Sequence, residues 1–152
     1  MFRLFVLVPV FIFSPAFVQA QTFVLKGTDK TYSVCCEEDG DWIIYNGVKK
    51  TIAEGTCKNK KKNGKWKEYA DSTEISSGKY VNDLKTGKWV TKNKKVTVVK
   101  GCYENGQMNG LWRYYYTNRK IAKKGTYKNG MMIGKWDFYS FFGEKTLTEN
   151  YQ

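Results

Sequence analysis

Short stretches of alternating apolar and polar residues, separated by turn-forming residues, run from about residue 40 to the end of the chain. The stretches are about five to eight residues long and rich in Tyr, Trp, Val, Ile and Thr, which is typical of β-strands. No stretch has the 3.6-residue period of an amphipathic helix. Proline is absent after Pro15, so no predicted strand loses a ladder hydrogen bond to it. The pattern predicts an all-β protein.

One phrase recurs four times, at spacings of 23, 23 and 24 residues. The copies begin at Gly55, Gly78, Gly101 and Gly125. They share the pattern G-x-Y-x-N-x-x-x-x-G-x-W-x-x-Y, in which Cys57 replaces the first Tyr of one copy and Lys92 the last Tyr of another. A fixed period of this length indicates a repeat architecture, in which each unit packs on its neighbours.

A degraded unit over about residues 31–54 precedes these copies, because GDWIIY at 40–45 matches the second half of the phrase. The tail FFGEKTLTENY resembles the connection that follows Tyr115 in the third copy. Every tryptophan therefore occupies the same position of the phrase: Trp42, Trp66, Trp89, Trp112 and Trp136.

Dipeptides that accept positive φ predict the turns. Asn63-Gly64, Asn105-Gly106 and Asn129-Gly130 are expected to close hairpins. Each unit then contributes two antiparallel strands, and the whole is a single-layer antiparallel β-meander of about ten or eleven strands.

Alternation along these strands predicts an aromatic ladder on one face. Tyr80, Tyr103 and Tyr127 are expected to pair across their hairpins with Trp89, Trp112 and Trp136, and Trp42 and Trp66 continue the row. We interpret these rings as the core, since a single-layer sheet has few other apolar residues to bury. The alternative is a surface on which sugars or bases stack. The opposite face should carry a second set of ligand candidates, Tyr45, Tyr69, Tyr115 and Tyr139.

The phrase in residues 101–115 and 125–139 resembles the bacterial variant of the MORN repeat, in which Trp follows the second Gly. The resemblance covers about residues 40–151 and implies tandem β-hairpins. It implies little about function, since such repeats occur in scaffolds, membrane-associated proteins and bacterial proteins labelled antitoxins. Lipid binding is associated mainly with the eukaryotic branch, whose consensus differs.

The first twenty residues have the composition of a secretory signal peptide. One basic residue, Arg3, precedes an apolar run that ends in Val18-Gln19-Ala20, so we expect cleavage before Gln21. The alternative is an uncleaved membrane anchor, although the run is short and contains two prolines. Residues 21–152 then form the repeat domain. Export does not suit a cytoplasmic antitoxin.

Positive charge dominates the mature chain. Without Arg3, 25 basic residues stand against 14 acidic ones, a net charge of +11. Such a balance favours acidic partners. The candidate anion-binding residues are those of the lysine-rich hairpin: Lys60, Lys61, Lys62 and Lys65. Lysines at 85, 88, 92, 94, 95 and 100 could extend this site into a stripe along one edge; the alternative is an ordinary solvated loop.

Four cysteines occur in a chain that we expect to be oxidised after export. Cys36 with Cys57 is the candidate disulfide, and Cys35 with Cys57 is the alternative. Cys102 has the opposite parity to Cys57 and is expected to be unpaired.

Candidate chemistry is sparse. Histidine is absent, which excludes His-based acid–base pairs and His-containing zinc sites. The only acidic cluster, Glu37-Glu38-Asp39, lacks the ligand spacing of a calcium loop. We predict no catalytic residue, no cofactor and no metal site.

These observations predict an exported, non-catalytic protein that binds or scaffolds at the cell envelope. Its expected partner is a protein or an anionic envelope component, either a lipid head group or a glycan; export argues against nucleic acid. A homodimer through exposed edge strands is a further expectation. Two alternatives stay open: an antitoxin-like immunity protein that covers a toxin, and a glycan-active enzyme whose carboxylates are brought together by folding.

Overall fold

The computed structural model describes residues 21–24, 38–45 and 50–152. The predicted signal peptide and the cysteines at 35 and 36 lie outside the described residues. Eleven β-strands fill most of the described part, which contains no helix long and apolar enough to cross a membrane. The strands are β1 (Gln21–Val24), β2 (Gly40–Tyr45), β3 (Thr51–Lys58), β4 (Lys61–Tyr69), β5 (Glu74–Val81), β6 (Leu84–Asn93), β7 (Val96–Glu104), β8 (Gln107–Tyr115), β9 (Ile121–Lys128), β10 (Met131–Tyr139) and β11 (Lys145–Tyr151).

All eleven strands form one sheet in which spatial order equals sequence order. From β2 to β11 every neighbouring pair is antiparallel, so the predicted all-β meander is confirmed. The first strand differs, because β1 pairs with β2 in parallel.

Two-residue turns with positive φ at both positions close the hairpins. Asn105-Gly106 and Asn129-Gly130 form such turns, as predicted, with φ of 49° and 80° and of 52° and 81°. The prediction for Asn63-Gly64 is wrong, since both residues lie within β4 and the turn is made by Asn59 and Lys60. Asn59 occupies the Asn position of the repeat and accepts the left-handed conformation that such a turn requires.

A β-bulge occurs in each of the four repeat hairpins. The first glycine of the phrase lies opposite three residues, G-x-W, of the returning strand, so that strand carries two extra residues. The glycine of G-x-W has positive φ in every copy, for example 77° at Gly64 and 75° at Gly110. These bulge glycines allow the irregular backbone, because a left-handed conformation is costly for other residues.

The bulge changes the predicted register. Tyr103 is paired directly with Met108, not with Trp112, and Trp112 is paired with Gly125 of the next unit. Direct cross-hairpin pairing of Tyr with Trp is therefore wrong. The rings nevertheless meet, with centroids 5.2 Å apart for Tyr103 and Trp112, because the indole extends back across the glycine of its own hairpin.

An alternating row of edge-to-face rings results, which we call the aromatic ladder. Neighbouring centroids lie 5.0–6.4 Å apart along Trp66, Tyr80, Trp89, Tyr103, Trp112, Tyr127, Trp136 and Tyr151. The five tryptophans, Trp42 included, are at most 4% exposed. Their burial supports the interpretation of the ladder as the core.

The four tryptophans of the repeat hairpins also satisfy the backbone at their bulges. The indole N–H of Trp66 donates to the carbonyl of Thr56 at 2.9 Å, and that of Trp112 donates to the carbonyl of Cys102 at 3.1 Å. Trp89 and Trp136 make the same bond ten residues back. Because the bulge interrupts the strand ladder at this point, the indole supplies a donor that the neighbouring strand does not.

The sheet thus has two faces. The ladder face carries the aromatic ladder. The far face carries the residues that directly precede and follow each ladder tryptophan and each first glycine, since successive side chains of a strand point to opposite sides.

Candidate functional site

The far face is strongly basic. From β2 to β10, its positions next to the tryptophans and first glycines carry eight bases: Lys65, Lys67, Lys79, Lys88, Lys100, Arg113, Lys124 and Lys135. They carry three acids: Asp41, Glu54 and Asp137. At these far-face positions, bases therefore outnumber acids by eight to three.

An open depression of about 540 Å³ lies on the far face over β2 to β6. Its lining includes Lys65, Lys79 and Lys88, with Asp41 and Glu54. Lys65 and Lys79 are directly opposite each other on β4 and β5. Like charges at directly paired positions repel one another, so this arrangement does not contribute to the stability of the sheet.

A second set of bases crosses the next three strands. Lys100 on β7 is paired with Arg113 on β8, and Arg113 is paired with Lys124 on β9. We call these three residues the cation row. None of them makes an ion pair with an acid in the described part of the chain.

The cation row belongs to a longer line of directly paired residues that crosses the sheet from Glu54 on β3 to Asp137 on β10. Acids accompany the bases at the two ends of this line. Glu54 receives Lys67 at 2.7 Å, and Asp137 receives Lys145 at 3.0 Å. The hydrogen bond and charge of Lys67 hold the pKa of Glu54 below its usual value, against the opposing effect of burial. The charge on the far face is thus compensated at its ends and uncompensated in the cation row.

Two tyrosines of the far face support the cation row. The ammonium of Lys100 lies 5.2 Å from the ring centroid of Tyr115, and that of Lys124 lies 5.5 Å from that of Tyr139. Both tyrosines belong to the set that the sequence marks as ligand candidates. A ring attracts the cation without cancelling its charge, so the lysines are positioned but remain positive.

The structure does not bring the four candidate anion-binding lysines together. Lys60 lies in the β3–β4 turn, and Lys61 is the exposed first residue of β4. Lys62 lies on the ladder face, 4.7 Å from the Trp66 ring centroid, whereas Lys65 lines the far-face depression. The strand begins at Lys61, so side-chain alternation separates residues that sequence reasoning had placed in one loop.

The expected lysine stripe along one edge is also divided. Lys85 lies over the rings of Trp89 and Tyr103 on the ladder face, and Lys94 and Lys95 form the β6–β7 turn. Lys88 and Lys100 belong to the far face. The lysines of the expected stripe are therefore divided between the two faces of the sheet and a turn.

A charged network on the ladder face was missed by the sequence analysis. Glu68 accepts a hydrogen bond from the hydroxyl of Tyr80 at 2.5 Å and an ion pair from Lys85 at 2.7 Å. The ammonium of Lys62 lies 5.1 Å from the Tyr80 ring centroid. The sequence carries one signal of this network. Four residues before the tryptophan, the first two repeat copies have Lys62 and Lys85, whereas the last two have Met108 and Met132.

Electrostatics ties this network together. Burial raises the pKa of Glu68, but the bonds from Lys85 and Tyr80 and the nearby charge of Lys62 outweigh it, so the pKa is below its usual 4.5. Burial lowers the pKa of Lys62, against the attraction of Glu68. Burial and the bond to Glu68 raise the pKa of Tyr80 far above its usual value. Glu68 is thus an ionised acceptor shared by two units.

Acid should weaken this link. Because the pKa of Glu68 is lower in the folded state than in the unfolded state, its contribution is complete above about pH 4.5 and is lost as the pH falls through the folded pKa. We expect Glu68→Gln to lower the free energy of unfolding at pH 7 by about 1–2 kcal/mol, as for a charged hydrogen-bonded group.

Urea denaturation at a series of pH values measures this effect. The gap between wild type and Glu68→Gln should narrow below about pH 4. Glu144→Gln, which removes an exposed carboxylate in the β10–β11 connection, is the control and should leave stability nearly unchanged. A gap that is independent of pH would show that Glu68 acts by packing and not by its charge.

The described cysteines are in different states. Cys57 is disulfide-bonded and 1% exposed, whereas Cys102 is free and half-buried on the far face. The candidate partners Cys36 and Cys35 lie outside the described residues, so the pairing stays a prediction.

Among the described residues, no group of three Cys, Asp or Glu side chains could hold a metal ion. Asp39, from the acidic cluster, accepts a hydrogen bond from the backbone N–H of Asn59 at 2.5 Å.

No protein-family model matches the chain, and no curated protein matches it. The resemblance to the MORN-variant repeat therefore stays a prediction.

Proposed function

We propose that this protein is an exported, non-catalytic binding module that attaches to an anionic component of the cell envelope through its far face. In this role the chain contributes a broad, regular surface. We also propose that the repeats act as a scaffold, because successive units present equivalent positions at a constant spacing.

One observation carries this proposal: the bases of the far face outnumber its acids, and several are directly opposite other bases. Lys65 is paired with Lys79, and Lys100 and Lys124 both flank Arg113. Such pairs destabilise a sheet by a few tenths of a kcal/mol or more each. An anion on the surface would relieve the repulsion, which favours a binding role over simple solubility.

Weak contacts at several units would add up. An exposed ion pair contributes only about 0.2–1 kcal/mol, so a single lysine cannot hold a ligand. A partner that contacts successive units makes the later contacts intramolecular, and the combined affinity exceeds that of each contact. Attachment of this kind is sensitive to salt.

Cosedimentation tests the proposed function. Purified residues 21–152 mixed with an envelope fraction from the source cells should sediment at about 20 mM NaCl and be released at about 0.5 M, where the screening length falls to a few ångströms. Neutralising Lys65, Lys79 and Lys88 to Gln should reduce the bound fraction. The matched control, Lys60→Gln with Lys94→Gln and Lys95→Gln, makes the same charge change in the hairpin turns and should bind like wild type.

Three outcomes would contradict the proposal. The protein would remain in the supernatant at low salt, its sedimentation would not respond to salt, or the far-face variant would bind as well as the control. Retention of one stoichiometric protein at high salt would favour the immunity-protein alternative.

A further inference from the structure

The cation row is a line one residue wide. On the same face of β7, β8 and β9, the next positions on one side are Cys102, Leu111 and Thr126, all uncharged. On the other side, Lys100 and Lys124 lie against Tyr115 and Tyr139, which carry hydroxyl groups. The cation row is therefore a track across three strands, and the neighbouring line of positions continues to a further base, Lys88, which lies directly opposite Cys102 on β6.

The track has a regular geometry. Adjacent strands lie about 4.8 Å apart, and directly paired side chains have Cβ atoms about 4.5–5.5 Å apart. Lys100, Arg113 and Lys124 are therefore evenly spaced along a line perpendicular to the strands. An extended chain with one anionic group at each step of its repeat is the shape that complements such a line.

The absence of compensation is local. In the same line of positions, Lys67 has Glu54 as its direct partner, and the position beyond Lys124 holds Asp137. Asp137 is directly opposite Lys124, but its ion pair is with Lys145 at 3.0 Å and its hydrogen bond is with Thr148 at 2.9 Å, and no ion pair joins it to Lys124. The repeat can place an acid in this line, and the cation row lacks one.

We propose that the cation row binds a linear acidic polysaccharide, with the carboxylates of successive sugars on Lys100, Arg113 and Lys124. The guanidinium of Arg113, in the middle, can receive one carboxylate in a bidentate manner. The hydroxyls of Tyr115 and Tyr139 are placed to hydrogen-bond to sugar hydroxyls beside the track. This inference rests on the proposed function and names its ligand class.

The geometry favours this ligand over other polyanions. An anionic membrane presents a plane of head groups, whereas the cation row offers three evenly spaced bases on one line with two tyrosine hydroxyls beside it. A nucleic acid would match the charge, but the proposed export separates it from the protein. Both enter the test as competing outcomes.

Fluorescence anisotropy of a labelled oligogalacturonate tests the inference with the purified protein, residues 21–152. Wild type should bind the oligomer in low salt, and its methyl ester, which has no charge, should not bind. The triple variant Lys100→Gln, Arg113→Gln, Lys124→Gln should bind roughly tenfold more weakly, since each exposed charge pair contributes a factor of about 1.5 to 5. The control variant Lys60→Gln, Lys94→Gln, Lys95→Gln, whose changes lie in the hairpin turns, should bind like wild type.

Thermal unfolding provides an independent readout. Neutralising the cation row removes like-charge repulsion, so the triple variant should have a higher Tm than wild type at low salt while its affinity falls. A lower Tm together with lost binding would mean that the row is structural and would overturn the inference.

Other results would also overturn it. They are no binding of the oligogalacturonate by wild type, equal binding of the methyl ester, and equal affinity of the triple variant. A variant that loses binding only to phosphatidylglycerol vesicles or to single-stranded DNA would assign the row to those ligands. If the envelope cosedimentation persists in any of these cases, the proposed function stands and only this inference fails.

Discussion

Replacing Trp112 by Ala is expected to lower the free energy of unfolding by about 3–5 kcal/mol, the cost of removing a large buried aromatic side chain. Trp112 is 4% exposed and lies in the middle of the aromatic ladder. Its ring contacts Tyr103 at 5.2 Å and Tyr127 at 5.9 Å, and its N–H satisfies the carbonyl of Cys102. The change therefore leaves a cavity, removes one of the two ladder partners of Tyr103 and of Tyr127, and takes away the indole donor of the Cys102 carbonyl.

Urea denaturation followed by far-ultraviolet circular dichroism measures the loss. Each strand pairs only with its sequence neighbours, so a defect at Trp112 weakens the coupling between the units on either side, and the transition should broaden or split. Leu111→Ala is the matched control. Leu111 is the preceding residue but is 45% exposed on the far face, so its removal should change stability by less than about 0.5 kcal/mol. Similar losses for the two variants would contradict the assignment of the ladder as the core.

Replacing Gly125 by Ala is expected to destabilise the protein by more than about 3 kcal/mol, although it adds a single methyl group. A Cβ atom at this position would lie 2.1–2.4 Å from three ring atoms of Trp136. Gly125 has strand partners on both sides, and Trp136 is fully buried, so neither the backbone nor the ring can move away. Differential scanning calorimetry would report the loss as a large fall in Tm.

Two comparisons separate this clash from the general effect of losing a glycine. Gly110→Ala also creates strain, since φ is 75°, but its Cβ would meet nothing within 4 Å, so a cost of only about 1–2 kcal/mol is expected. In a Trp136→Leu background the ring is absent, and Gly125→Ala should cost at least about 1 kcal/mol less than in wild type. Equal costs in both backgrounds would rule out the contact with Trp136 as the cause.

Much of the fold could be predicted because local information repeats. Strand-length alternation, the Asn-Gly dipeptides and the period of 23 or 24 residues each indicate hairpins, and the sheet from β2 to β11 has that topology. The errors were local. Asn63-Gly64 has the composition of a turn, yet Asn59 four residues earlier takes the turn and Gly64 serves the bulge. Composition alone does not distinguish these two uses of positive φ.

The candidate site could be predicted less well. The sequence marked the run from Lys60 to Lys65, because consecutive lysines are conspicuous. The cation row is spread over residues 100, 113 and 124, and it becomes a site only when three strands align. Likewise, Glu68 is an ordinary glutamate in the sequence and meets Tyr80 and Lys85 only through strand pairing.

The sequence by itself determined that the protein is a row of β-hairpins with one tryptophan in each unit, since strand propensity, turn chemistry and periodicity depend on neighbouring residues. Only the tertiary structure decided the register, through bulges that place each indole over a glycine, and only it decided which charges meet. The physical reason is that a shift of one residue moves a side chain to the other face of a sheet. In this protein the strand register is set by the packing of each repeat indole over the first glycine of its own hairpin.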